Sequence, residues 1–183
     1  MTTKSAHSHH HRLTMIEIQR LAKNNADVTL TVQLDELTQL TPLLAVEKSA
    51  EPVAVSVTFS MDEGGSICLH LIAQPSLALI CQRCLQPYLQ TLALDVIFSP
   101  IKQQQEARLL PESYEPALLE NDSLSLVRLF EEELILSIPL VPKHTDYAQC
   151  SAKGLTEEKV AKEAGKKASS NPFAVLKKLK KTE

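Results

Sequence analysis

Tryptophan is absent from this 183-residue chain, and four Phe and three Tyr are its whole aromatic supply. So few rings leave little to stack unpaired bases, which argues against a broad RNA-recognition sheet or an oligonucleotide-binding barrel. Glycine is also scarce, at four residues, two of them the pair Gly64-Gly65. With no G-x-x-x-x-G-K-[ST] or G-x-G-x-x-G string, P-loop and dinucleotide-binding chemistry are excluded. Positive charge is not in excess: Lys+Arg 19 against Asp+Glu 22 leaves −3, without the bulk field of a non-specific nucleic-acid binder. No apolar run approaches the ~20 residues of a bilayer span, and the N-terminus lacks the charged-then-apolar order of a signal peptide. The expectation is a cytoplasmic protein without membrane contact. Four Cys are too few for a disulfide scaffold, and in a reducing compartment they read as thiols or metal ligands. What is present, 44% apolar and 22% charged residues, suffices for one buried core of ordinary size.

Residues 1–14 hold His7, His9, His10 and His11 with no apolar period, and they read as a disordered extension ahead of a start at Met15. Adventitious metal binding by such a tract needs no biological role. Val28, Leu30, Val32 and Leu34 then alternate with polar residues, predicting a half-buried strand. Leu37, Leu40 and Leu44 suggest a short helix or turn limited by Pro42. The two-residue period returns over Val53–Phe59 and Ile67–Ala73, joined by a turn at Gly64-Gly65, then over Leu77–Cys81 and Leu92–Phe98. Ser99–Asn121, with Pro100, Pro111 and Pro116, loses all period and reads as a connector. Beyond it, Asp122 and Ser123 are N-cap candidates for a helix over about 124–138 that ends before Pro139. Its polar face is expected to carry Arg128, Glu131 and Glu132. The predicted fold is α+β: an antiparallel meander of about five strands with this one main helix packed on it, within a single core domain over 15–150.

Residues 151–170 are Lys, Glu, Ala and Ser with almost nothing to bury, a predicted flexible linker. Asn171-Pro172 then opens a short basic amphipathic motif over 171–183, with Phe173, Leu176 and Leu179 on one face and Lys177, Lys178, Lys180 and Lys181 on the others. Charge follows the same division: residues 1–98 carry −3, residues 99–150 carry −5, and residues 151–183 carry +5. All nine cations of the last segment are lysines, point charges suited to electrostatic docking on phosphate rather than to base reading. A solvated tail serving solubility alone would have the same composition.

Cys81-Gln82-Arg83-Cys84 is a C-x-x-C knuckle after a strand, and His144 and Cys150 lie beyond the helix. Together they form a Cys3His set of the kind that holds structural zinc, with Pro139 and Pro142 stiffening the segment that must return to the knuckle. Unliganded buried thiols are the equal alternative at this level. A redox pair fits less well, because Leu85-Gln86-Pro87 offers no helix N-terminus to lower a thiol pKa. Cys68 and His70 share a strand face and read as structural. Glu132 or Glu133 beside His144 would suit a metal-dependent hydrolase, but four protein ligands close a zinc ion to substrate and no H-E-x-x-H or G-x-S-x-G string is present.

Several strings occur together in order: C-Q-R-C-L-Q-P at Cys81–Pro87, F-S-P at Phe98–Pro100, L-P-E-S-Y-E-P at Leu110–Pro116, E-E-E-L-I-L-S-I-P-L-V-P-K-H at Glu131–His144, Cys150, and N-P-F-A-V-L-K-K-L-K at Asn171–Lys180. In these the chain resembles the bacterial YceD family, large ribosomal RNA subunit accumulation proteins, from about residue 27 to the C-terminus. The first residues depart from that pattern. The resemblance implies a role in synthesis, processing or stability of 23S rRNA, in a protein often encoded beside a large-subunit ribosomal protein. It implies no enzyme and supplies no established catalytic or binding residue. The expected partner is a large ribosomal subunit precursor, 23S rRNA itself, or a ribosomal or assembly protein. The rival readings are a metal-dependent RNA-processing hydrolase using Cys81, Cys84, His144 and Glu132 or Glu133, and a protein-interaction module without RNA contact.

Overall fold

A computed structural model describes residues 12–45 and 52–150 of the chain. The expected linker over 151–170 and basic motif over 171–183 lie outside the described residues, as do residues 1–11. The elements are, in order, β1 (Arg12–Thr14), α1 (Met15–Lys23), β2 (Asp27–Val32), β3 (Val53–Met61), β4 (Ile67–Ala73), β5 (Ser76–Ile80), β6 (Pro87–Thr91), β7 (Leu94–Ile101), β8 (Glu115–Leu118), β9 (Ser123–Ser125) and α2 (Leu126–Ser137). The α+β class read from the sequence is the class observed.

The main sheet has the order β2-β3-β4-β7-β8. Its registers set apolar rows across one face: Phe59, Leu69 and Phe98; Val57, Leu71 and Val96; Val55, Ala73 and Leu94. Val28 and Leu30 extend the second and third of these rows onto β2, and Val32 lies opposite Val53. Period-two alternation places each of these side chains inward, where they meet Ile18 and Ala22 of α1 and Leu126, Leu129, Phe130 and Leu134 of α2.

Two features depart from the expected five-stranded meander. First, β5 and β6 pair only with each other, as a separate antiparallel hairpin between β4 and β7. Alternation at Leu77 and Leu79 fixes which way side chains point but not which strand is the neighbour. Second, the supposed connector contains β8, which runs parallel to β7 at the sheet edge. Pro116 sits in that edge strand, where a missing N–H sacrifices no interior ladder bond.

Asn121 and Asp122 have φ of 50° and 59°, and Glu120 and Ser123 exchange backbone hydrogen bonds across them. This is the two-residue primed turn for which Asn and Asp are suited. Asp122 and Ser123 therefore turn the chain rather than cap the helix. The N-cap is Ser125, whose hydroxyl accepts from the Arg128 N–H at 3.4 Å.

The N-terminal boundary also moves. Residues 1–14 were expected to be disordered throughout, yet Arg12–Thr14 form β1 against β9. Thr14 then caps a helix that apolar periodicity did not reveal. Its hydroxyl accepts from the Glu17 N–H, and the Glu17 carboxylate accepts from the Thr14 N–H at 2.9 Å and from its hydroxyl at 2.9 Å. The T-x-x-E spacing was the available signal. These donors hold the Glu17 carboxyl below its ordinary value, the backbone N–H of Thr14 contributing most. A depressed carboxyl supports the folded state above its unfolded pKa and loses that support as pH falls through the folded value. In Thr14→Ala, an NMR titration of Glu17 should return toward an ordinary glutamate, with a stability loss of about 1 kcal/mol.

The expected solvent face of α2 needs one correction. Arg128 and Glu132 are exposed and paired at 2.8 Å, but Glu131 is 7% exposed. Its Oε1 accepts from the Gln39 N–H at 2.7 Å and the Leu40 N–H at 3.2 Å. The first carboxylate of the acidic triplet thus ties the loop after β2 to the helix. A buried acid on a helix is sustained when it satisfies donors that would otherwise be orphaned.

Candidate metal centre

The β5–β6 hairpin carries the knuckle at its tip. The Cys81 N–H donates to the Gln86 carbonyl at 2.9 Å and the Leu85 N–H donates to the Cys81 carbonyl at 2.8 Å, with Leu85 at φ 57°. A leucine in the left-handed region is uncommon, because its Cβ crowds the backbone there. The tight turn is what brings Cys84 back beside Cys81.

The second ligand segment starts where α2 ends. Ile138 is extended and Pro139 cannot continue the helix, so the chain turns back toward the hairpin. The Gln82 N–H donates to the Pro142 carbonyl at 2.8 Å, a direct backbone clasp between the two segments. Two residues later His144 reaches the knuckle, its ring 4.9 Å from that of Tyr88 and tilted by 40°. A short 3-10 turn over Tyr147–Cys150 then delivers the last thiol.

The four predicted ligands converge. All their donor atoms lie within 4.8 Å of one another. Cys81 Sγ is 3.9 Å from Cys150 Sγ, Cys84 Sγ is 3.6 Å from His144 Nδ1, and Cys150 Sγ is 3.4 Å from the same nitrogen. With Zn–S near 2.3 Å and Zn–N near 2.0–2.1 Å, tetrahedral geometry requires S–S edges of about 3.8 Å and S–N edges of about 3.6 Å. These three separations match the corresponding edges to within about 0.2 Å, the other three pairs lie within 4.8 Å, and the donor set is one that zinc favours.

The electrostatics suit thiolate. Burial pushes the Cys81 thiol up, but the backbone N–H groups of Cys84, His144 and Arg83, with the His144 side chain, outweigh it and hold the group down at about 5. Cys150 is pushed up by burial and by the neighbouring thiols of Cys81 and Cys84, with Arg83 opposing. Arg83 Nη1 lies 3.8 Å from Cys150 Sγ, and its guanidinium sits 4.9 Å from the centre of the Tyr147 ring. Three thiolates around a divalent ion leave one negative charge, which this guanidinium faces.

No carboxylate joins the cluster among the described residues. Glu132 is paired with Arg128, and Glu133 is pushed above the ordinary carboxyl range by burial and then by the charge of Glu115. Neither glutamate belongs to the ligand group. Cys68 and His70 also stand apart: Cys68 Sγ approaches the Ser66 carbonyl at 3.7 Å, and His70 Nε2 lies 2.6 Å from Asp95 Oδ1. Tyr114, in the L-P-E-S-Y-E-P string, reaches Asp62 Oδ2 at 3.3 Å, and its hydroxyl is pushed up to about 12 by Cys68, burial and Asp62. The sequence reading did not anticipate this tether between the connector and the β3–β4 turn. No helix among the described residues is long and apolar enough to cross a membrane.

Residues 69–180 match the family model described as large ribosomal RNA subunit accumulation protein YceD, a span that holds all four candidate ligands. A protein of that name from Haemophilus influenzae is 37% identical over 132 residues, 69% of this chain and 72% of the relative. No solved structure matches the chain. A family match over more than half the length, with a relative of this similarity covered over most of its own chain, places the protein in the YceD family.

Proposed function

We propose that the protein is a non-catalytic ribosome biogenesis factor that supports synthesis, processing or stability of 23S rRNA during large-subunit assembly. The observation that carries this reading is the family match over residues 69–180, joined to a relative named for accumulation of large-subunit ribosomal RNA. In this reading Cys81, Cys84, His144 and Cys150 hold a structural zinc ion. When bound, the metal supplies a cross-link between the β5–β6 hairpin and the segment after α2. The chain's own residues prepare the cage: the Gln82–Pro142 clasp aligns the two segments, Tyr88 orients the His144 ring, and Arg83 offsets the thiolate charge.

The metal cage sits immediately before residues 151–183, so it fixes the point at which the basic segment leaves the body. That segment carries the partner contact, with Phe173, Leu176 and Leu179 offered to a groove and Lys177, Lys178, Lys180 and Lys181 to phosphate. A body of −8 would be repelled by RNA, which favours contact through this segment or through a ribosomal or assembly protein.

Loss of the protein from its host is expected to lower 23S rRNA relative to 16S rRNA. Deleting residues 171–183 should reduce co-sedimentation with large-subunit precursors, most at low salt and less as salt is raised. Unchanged association would remove the segment from the mechanism. Cleavage of precursor RNA by purified zinc-loaded protein, lost in Cys84→Ala without loss of folding, would replace this reading with the hydrolase.

A further inference from the structure

The three thiols of the candidate metal centre differ in access. Cys81 is fully buried and Cys150 is 7% exposed, whereas Cys84 is only half-buried. Cys84 Sγ is therefore the sulfur that a small solute reaches first. Cys150 Sγ lies 3.9 Å from Cys81 Sγ and within 4.8 Å of Cys84 Sγ. Cys68, the fourth thiol of the chain, stands outside the group.

The segments that carry these sulfurs are held differently. The knuckle is fixed by the Cys81–Gln86 and Leu85–Cys81 backbone bonds and by the clasp from Gln82 to Pro142. Cys150 ends a four-residue 3-10 turn, where the Gln149 N–H donates to the Asp146 carbonyl at 3.3 Å and the Ala148 N–H to Asp146 Oδ1 at 2.9 Å, bonds local to the turn. A disulfide requires sulfurs about 2.05 Å apart, so any pair in the cluster must close by about 2–3 Å. The short turn can supply that movement at Cys150. Joining Cys81 to Cys84 would have to move sulfurs within the bonded knuckle.

We propose that this centre is a reversible redox site for hydroperoxides, in which Cys84 and Cys150 are oxidised to a disulfide that replaces the metal as the link between the β5–β6 hairpin and the segment after α2. The inference rests on reading the four residues as a zinc cage, and it adds how that cage is regulated. Cys84 Sγ attacks one oxygen of hydrogen peroxide, the O–O bond breaks, and hydroxide leaves, placing a sulfenic acid on Cys84. Cys150 Sγ then attacks Cys84 Sγ, the S–O bond breaks, and a second hydroxide leaves. Two protons from solvent turn both hydroxides into water, and the peroxide gains the two electrons that the two sulfurs lose.

The disulfide withdraws two of the four donors, and Cys81 with His144 cannot close a cage alone. Metal is lost while the two segments stay joined. Residues 151–183 follow Cys150 directly, so their point of attachment to the body is kept in both forms. Capture by Cys150 also spares Cys84 from oxidation to sulfinic acid, which thiols do not reverse.

The test treats the intact chain, its zinc content measured beforehand, with excess hydrogen peroxide. One zinc should reach a chromogenic metal indicator for every two thiols lost. Trypsin separates the three thiols, because cleavage after Lys48, Arg83, Lys102, Lys143 and Lys153 puts Cys81 in peptide 49–83, Cys84 in 84–102 and Cys150 in 144–153. Peptides 84–102 and 144–153 should be found joined, and dithiothreitol should part them and restore zinc uptake. Oxidised protein nicked at Lys143 should run as one piece on a non-reducing gel, whereas chelated, unoxidised protein nicked there should run as two. In Cys150→Ser, Cys84 should proceed to sulfinic acid; equal sulfinic acid with and without Cys150 overturns the proposal. So does a link that uses peptide 49–83, or three thiols left unreacted by the peroxide. Absence of zinc before oxidation overturns the cage reading alone, since the joined peptides still decide the disulfide.

Discussion

Protein purified without chelator, after removal of the N-terminal histidine tract, is expected to carry about one equivalent of zinc, held by four protein ligands. Cys84→Ala should carry almost none, whereas Cys68→Ala should keep the full complement, because Cys68 lies outside the ligand group. Chelation is expected to lower the thermal midpoint by about 10 °C, corresponding to roughly 3–5 kcal/mol for a domain of this size. The loss is smaller than in a zinc-finger peptide because the main sheet has its own apolar core. What detaches first is the segment after α2, whose remaining ties to the hairpin include the Gln82–Pro142 hydrogen bond, the Tyr88–His144 ring contact and the Arg83–Tyr147 contact. Limited proteolysis should therefore cut at Lys143 after chelation while the sheet's far-ultraviolet signal persists. Elemental analysis returning less than about a tenth of an equivalent on folded protein would sink the staple.

Glu131→Ala is expected to cost about 2–4 kcal/mol, the second large effect. The substitution leaves the Gln39 and Leu40 N–H groups without their acceptor, and each unsatisfied buried donor costs about 1–3 kcal/mol. It also opens space beside Phe130 and Leu134, both fully buried. Glu132→Ala, one residue on, removes only an exposed pair with Arg128 and should cost less than about 1 kcal/mol. Chemical denaturation of the two variants checks the contrast. Equal effects would mean that the buried carboxylate does not hold the loop.

That contrast marks where sequence reading stopped. An acidic triplet on a helix looks uniformly solvent-facing, and nothing local distinguishes Glu131 from its neighbours. Its environment is set by Gln39 and Leu40, some ninety residues away in the chain. Helix α1 was missed for a different reason: only nine residues long, it has a strong capping signal at Thr14 and Glu17 but a short apolar stripe. The candidate ligands were legible because Cys and His carry their chemistry in their identity. That the three thiols and the imidazole meet needed distances.

From the sequence alone follow the α+β class, the inward set of β2, β3, β4 and β7, the Gly64-Gly65 turn, the helix ending before Pro139, and the four candidate ligands. All are local properties, carried by period-two alternation, turn residues, a proline stop and side-chain chemistry. Only the tertiary structure decided that β5 and β6 leave the main sheet, that β8 joins it in parallel, that Glu131 turns inward, and that His144 and Cys150 return to the knuckle within 4.8 Å. Each of these is a choice of partner between segments distant in the chain. Such choices are made by shared burial and by satisfying backbone donors across the whole fold, which no window of neighbouring residues encodes.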